Sequence, residues 1–206
     1  VTPKAPDLEA ALALAPPESV GDAVVVPLLN GIDHVALLRE RYANVLTGAM
    51  RVESERVAPG LVRQKTPFAR IDLAPGPRRD ELVDDLREAG FQVELPVDEP
   101  TLLWEKLSFL APIALTTTAL GAPFGAVQAD PAWHSRLVRS HDETVAVGLR
   151  EGAQIDEAAV RAMIDIPGGE FRSSMQKDFD AGRPLELDAI AGPIVRGGRG
   201  HGVDTS

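Results

Sequence analysis

A lysine inside an apolar stretch is the first residue in this chain that could do chemistry. Lys106 lies between Trp104 and Leu107, on a segment whose Leu103, Leu107, Leu110 and Ile113 recur at helical spacing. An ammonium held there could stabilise and protonate an oxygen on which negative charge builds, as when hydride adds to a ketone. A lysine on such a helix also commonly runs its stem along the apolar surface and leaves its charge in water. Asn30-Gly31 is the second candidate. It ends the aliphatic run AVVVPLL at residues 23–29, and in an open α/β sheet ligands bind beyond the carboxyl ends of strands. The Asn30 amide could hold a nicotinamide or a substrate oxygen there, although Asn-Gly equally makes an ordinary strand-to-helix turn. The third candidate is the polar segment from Ser173 to Asp188. Ser173 and Ser174 suit a helix cap, Gly182-Arg183-Pro184 would end that helix, and Glu186 follows in the first turn of the next. The helix dipole alone favours a carboxylate at Glu186.

Two kinds of chain must position these residues. Up to about residue 100, short strands and helices alternate. Leu8 to Leu14 suits a short helix stopped by Pro16-Pro17. Residues 23–29 have the unbroken aliphatic pattern of a strand buried on both faces of a parallel sheet. Asp33 can then cap a helix running to about Tyr42. Val45 to Val57 and Leu61 to Lys65 read as strands around Ala58-Pro59-Gly60, and Phe68 to Leu73 as another. Arg79 to Ala89 reads as a helix stopped by Gly90, and Phe91 to Leu95 as a last strand. Pro96 to Pro100 marks the boundary between residues 1–99 and 100–206. Beyond it everything is helical. Thr101 can cap the helix of Lys106, Ala132 to Gly152 forms a second, and Asp156 caps a third from Glu157 to about Ile164. A loop from Ile166 to Ser174 leads to a final helical region broken by Gly192-Pro193 and ended near Gly202.

Composition narrows the function classes. The chain has 206 residues, a hydrophobic content of 44% and a net charge of −10. It can bury a core, and its charge disfavours nucleic acid backbones and anionic membranes as partners. Disulfides and thiolate metal sites are excluded by the absence of cysteine. No apolar run approaches the roughly 20 residues that span a bilayer, and no signal peptide opens the chain, which suits a cytoplasmic protein. His34, His134, His141 and His201 are scattered without metal-ligand spacing, no G-x-S-x-G elbow is present, and no P-loop is present.

Taken in order, these landmarks resemble the ketopantoate reductase (2-dehydropantoate 2-reductase) family. The matching residues are Val1-Thr2-Pro3-Lys4, Pro27-Leu28-Leu29-Asn30-Gly31, Arg56 to Gly60, Leu103-Trp104-Glu105-Lys106-Leu107, and Thr117 to Gly125. The most specific block is Ser173-Ser174-Met175 with Asp178, Gly182-Arg183-Pro184, Glu186, Asp188, Ile190 and Gly192, followed by Arg199-Gly200-His201-Gly202-Val203. The resemblance implies an α/β fold: the remainder of a Rossmann-like NADP-binding domain, then an all-helical domain, with the active site between them. It implies NADPH as cofactor, a small 2-oxo acid as substrate, and a homodimer through the helical domain. It also implies roles: Lys106 as the acid that protonates the ketone, Glu186 as the carboxylate that pairs with it and keeps it charged, Ser174 and Asn30 as substrate contacts, and Lys4 with Asn30 near the cofactor.

Two departures from the family pattern bear on activity. The Gly-rich turn that seats the cofactor pyrophosphate is expected before Val1, so the chain reads as trimmed at both ends. Leu110 and Ala114 stand where asparagines usually follow the catalytic lysine. Both are expected to line the substrate pocket one and two turns after Lys106, favouring a 2-oxo acid more apolar than ketopantoate. A competing reading is a catalytically silent, truncated homologue that serves as an assembly module. A third is the β-hydroxyacid dehydrogenases, which lack the Ser-Ser-Met block.

Overall fold

Residues 23–29, expected as a strand buried on both faces, form an extended segment but no strand of the sheet: they pair with two neighbours only briefly, and buried and half-buried residues alternate along them. On one side the Val25 N–H donates to Asn44 O at 2.8 Å and the Leu46 N–H to Val25 O at 3.0 Å, making a parallel bridge between Val25 and Val45. On the other side the Leu28 N–H donates to Val1 O at 3.0 Å and the Val1 amine to Val26 O at 2.8 Å. The pairing stays this short because Pro27 has no N–H to give. The computed structural model describes all 206 residues.

Around this segment the first half is built from short elements. A 3₁₀ turn at Ala5–Asp7 and helices α1 (Leu8–Ala13) and α2 (Pro17–Val20) precede it, and α3 (His34–Arg39) follows the Asn30-Gly31 turn. Strands β1 (Gly48–Arg51), β4 (Arg70–Leu73) and β5 (Gln92–Glu94) form one sheet. In it β1 pairs antiparallel with β4, and β4 parallel with β5. Strands β2 (Ser54–Ala58) and β3 (Leu61–Gln64) form a separate exposed hairpin, and α4 (Arg79–Glu88) leads into β5. The sheet is therefore mixed rather than parallel. The single strand expected over Val45 to Val57 divides in two, because its second half leaves the sheet for the hairpin. Helix α3 stops at Arg39 instead of about Tyr42. Asp33 does not cap it, since its carboxylate is taken by Arg196.

From Asp98 onward the chain is helical: α5 (Glu99–Leu120), α6 (Phe124–Ala129), α7 (Pro131–Arg150), α8 (Glu157–Asp165), α9 (Ser174–Asp180) and α10 (Leu187–His201). The short α6 was not expected from the sequence. Asp98 caps α5 by accepting from the Thr101 N–H at 2.8 Å. The Thr101 hydroxyl, the expected cap, accepts from the Gln154 N–H at 2.8 Å instead. Asp156 and Ser173 cap α8 and α9. Trp104, Leu107 and Ala111 of α5 meet Val145 of α7, Met175 of α9 and Ile190 of α10 in the main core. Leu102 and Leu103 on another side of α5 pack against Val35, Ala49 and Ala74 of the first half. Helix α5 therefore belongs to both halves. None of the helices is long and apolar enough to cross a membrane.

Two prolines inside helices explain two buried contacts. Pro112 cannot donate to the carbonyl four residues back, Ser108 O. The buried His141 ring answers it, its Nδ1 lying 2.9 Å from Ser108 O. A carbonyl can only accept, so Nδ1 carries the proton. Helix α10 runs unbroken through Gly192-Pro193, where a break was expected. Pro193 frees Ala189 O, and this carbonyl meets the Asn30-Gly31 turn. A Cβ on Gly31, at φ 87°, would lie 2.3 Å from Ala189 O.

Replacing His141 with Phe should therefore cost about 1–3 kcal/mol in urea unfolding, the penalty for a stranded buried carbonyl. Unchanged stability would show that Ser108 O needs no partner. Gly31→Ala should lower the thermal midpoint clearly more than Gly60→Ala. Both glycines have positive φ, but nothing lies within 4 Å of the added Cβ at Gly60. Equal losses would show that the turn does not press on α10.

Candidate active site

Lys106 sits one turn beyond Leu102 and Leu103, at the seam between α5 and the first half. Its Nζ donates to Leu29 O at 3.3 Å, a carbonyl at the end of the extended segment. The side chain thus turns into the fold rather than out to water. Burial lowers its pKa from the usual lysine value to about 8, and the Arg51 guanidinium nearby adds to the effect. Asp72 and Glu186 act in the opposite sense and favour the charged form. The result is an ammonium at neutral pH that can part with its proton far more readily than a solvated lysine.

Glu186 is buried, at 6% exposure, in the N-cap position of α10. One oxygen accepts from the Ala5 N–H at 3.2 Å and the other from Asn30 Nδ2 at 3.4 Å. The expected Lys106–Glu186 ion pair is not formed. The two charged groups are instead tied to consecutive residues, Leu29 and Asn30, and interact across that peptide without touching. The reason is local: two N–H donors already satisfy the carboxylate, and the Leu29 carbonyl already holds the ammonium.

Beside Glu186 a cleft of about 390 Å³ opens between the Asn30 turn, the Ala5–Asp7 segment and the start of α10. Asn30, Ile32, His34 and Glu186 are among the residues that line it. Of the residues singled out from the sequence, Asn30 and Glu186 reach this cleft. Lys4 pairs with Asp178 of α9, which also accepts from Arg183 Nε at 2.8 Å. Burial raises the Asp178 carboxyl, but these two cations outweigh it and hold it below the ordinary range. Ser174 is exposed on the first turn of α9, whose Ser173 cap is bonded to the Thr117 hydroxyl at 2.9 Å. Leu110 is half-buried against the helical core, and Ala114, at 1% exposure, lies within it. The structure therefore gathers Lys106, Asn30 and Glu186 around one turn. Ala114 is set inside the core rather than on an open wall.

Three polar residues near Lys106 were given no role from the sequence. His34, the first residue of α3, is buried, and its Nε2 has no hydrogen-bond partner. Burial, and next to it the Lys106 charge, lower its pKa to about 4 against the opposing Glu99, so the imidazole is neutral. Asp72, 1% exposed, accepts from Arg51 Nε at 2.7 Å and from Arg70 Nε at 2.5 Å. Alternation along β1 puts Arg51 on the same face as Ala49. It places that side chain on the face that meets α5.

Comparison with known proteins places the chain in a family. The family described as "Ketopantoate reductase PanE/ApbA" matches residues 1–78, and its "C terminal" counterpart matches residues 101–206. A 2-dehydropantoate 2-reductase of Caulobacter vibrioides is 30% identical over 198 residues, covering 89% of this chain and 66% of its own length. One from Mycobacterium tuberculosis is 31% identical over 189 residues, covering 88% of this chain and 62% of its own. The chain thus spans somewhat less than two thirds of these relatives. The crystal structure of a PanE/ApbA family ketopantoate reductase from Ralstonia eutropha superposes with a TM-score of 0.86 at 25% identity, over 98% of this chain and 69% of that one. With both family regions matched in order, the second over half the chain, and the fold shared, the chain belongs to the ketopantoate reductase family.

Proposed function

We propose that this chain carries the proton-transfer and substrate side of an NADPH-dependent reductase that turns a 2-oxo acid, ketopantoate or a more apolar analogue, into the 2-hydroxy acid. The observation that carries the reading is Lys106: a buried ammonium with its pKa lowered to about 8, held at the end of the extended segment between the two halves. Family membership and the named reductase relatives support it. When bound, a reduced nicotinamide would supply the hydride. The cleft suits the nicotinamide end of such a cofactor, because Asn30 places an amide at the carboxyl end of the extended segment beside apolar Ile32 and Leu37. Asn30 would hold it there, and Lys4 would exchange its partner Asp178 for a cofactor group.

As charge develops on the ketone oxygen, Lys106 Nζ donates a proton to it and is left as a neutral amine. Glu186, fixed by Ala5 and Asn30, keeps a negative charge close enough to favour the ammonium before the transfer. Ser174, exposed at the start of α9, is free to meet the substrate. Leu110 offers no amide to a polar substrate tail, which suits the apolar analogue.

In the intact protein, Lys106→Ala should lower kcat by about 10²–10⁴-fold, the usual loss of a general acid. The acid works only while protonated, so kcat/KM should be flat below neutrality and fall as pH rises through about 8. A variant that keeps wild-type kcat, or a profile without this basic limb, would refute the assignment.

A further inference from the structure

A 2-oxo acid brings two oxygen-bearing groups on adjacent carbons, and a single ammonium can serve only one of them. The second cation beside Lys106 is Arg51. Ala49 of β1 packs against Leu102 and Leu103 of α5. Arg51 lies two residues further along the same face of the strand, and Lys106 lies one turn further along the helix. Both cations thus flank the β1–α5 contact, each within one turn or one strand repeat of the packed residues. The mutual effect of their charges agrees, since Arg51 is the charged group that most lowers the Lys106 pKa.

Arg51 is held but not used up. Its Nε donates to Asp72 at 2.7 Å, and Asp72, buried on the neighbouring strand β4, also accepts from Arg70. The two terminal nitrogens of Arg51 make no hydrogen bond to the protein, and neither is a buried orphan, so both reach solvent. The side chain is 17% exposed. The Glu105 carboxylate also feels the Arg51 charge, but it makes no ion pair with it, and burial raises its pKa. A guanidinium braced at Nε with its two terminal N–H groups free is arranged for bidentate capture of a carboxylate.

We propose that Arg51, braced by Asp72, is the carboxylate receptor of this site and holds the acid group of a 2-oxo acid whose ketone oxygen faces Lys106. This rests on the reductase reading above and adds why the substrate must be an acid. Asp72 is then a positioning residue, acting through Arg51.

The test uses the intact protein with 2-oxoisovalerate, its neutral amide, and oxamate as a non-reducible 2-oxo acid mimic. For Arg51→Met the acid-to-amide ratio of kcat/KM should fall about 10–100-fold, and oxamate binding by calorimetry should weaken by a similar factor. Arg51→Lys should lie between, because it restores the charge without the two-pronged geometry. An unchanged ratio with unchanged oxamate affinity overturns the proposal. So does parallel loss of acid and amide together with a lowered Tm, which would mean that Arg51 serves only to neutralise Asp72. If the wild type reduces no 2-oxo acid yet binds oxamate in an Arg51-dependent way, the receptor stands and the reductase reading fails. If it does neither, the receptor fails as well.

Discussion

An ammonium taken out of water must find oxygen, and much of this fold is arranged around that requirement at Lys106. Helix α5 brings the lysine to the seam, where the end of the extended segment supplies Leu29 O. The opposing charges of Asp72 and Glu186 arrive from β4 and from the start of α10. None of these supports is local to α5. Burial and Arg51 push the lysine toward neutrality while the two carboxylates pull it back. The balance leaves the group charged at neutral pH yet ready to act as an acid.

The Asn30-Gly31 turn is where these supports are fastened together. Leu29 gives its carbonyl to the lysine, Asn30 gives its amide to Glu186, and Gly31 lets Ala189 O come close. That last approach depends on Pro193, which leaves the Ala189 carbonyl without its helical donor. The corresponding orphan on α5, at Ser108, is met by His141 from α7. Prolines inside both helices thus direct cross-links from neighbouring elements instead of breaking the helices. Arg196 adds a further tie by reaching both Asp33 and Asp188.

Much of this was legible in residue order. The apolar spacing around Lys106 and the Ser173 cap each carry their own local signal, and each element lies where that signal points. Glu186 was legible as a first-turn carboxylate, and the family resemblance singled it out further. What the chain order hid is what depends on contacts distant in sequence. Asp33 looked like a cap, but an arginine 163 residues away holds its carboxylate. Gly192-Pro193 looked like a break, because the answering Gly31 lies on another element. The direct Lys106–Glu186 pair was expected from the family resemblance, whereas Ala5 and Asn30 had already satisfied the carboxylate. Arg51 and Asp72 escaped notice because an alternating strand does not say which neighbour its inward face will meet.

The claim on which the rest depends is that Lys106 is a partly dehydrated ammonium with a lowered pKa. The direct measurement is an NMR titration of a ¹³C label at its Cε, assigned by comparison with Lys106→Arg. The account predicts a midpoint near 8. A midpoint at the ordinary lysine value of about 10.4 would place the side chain in water and contradict it.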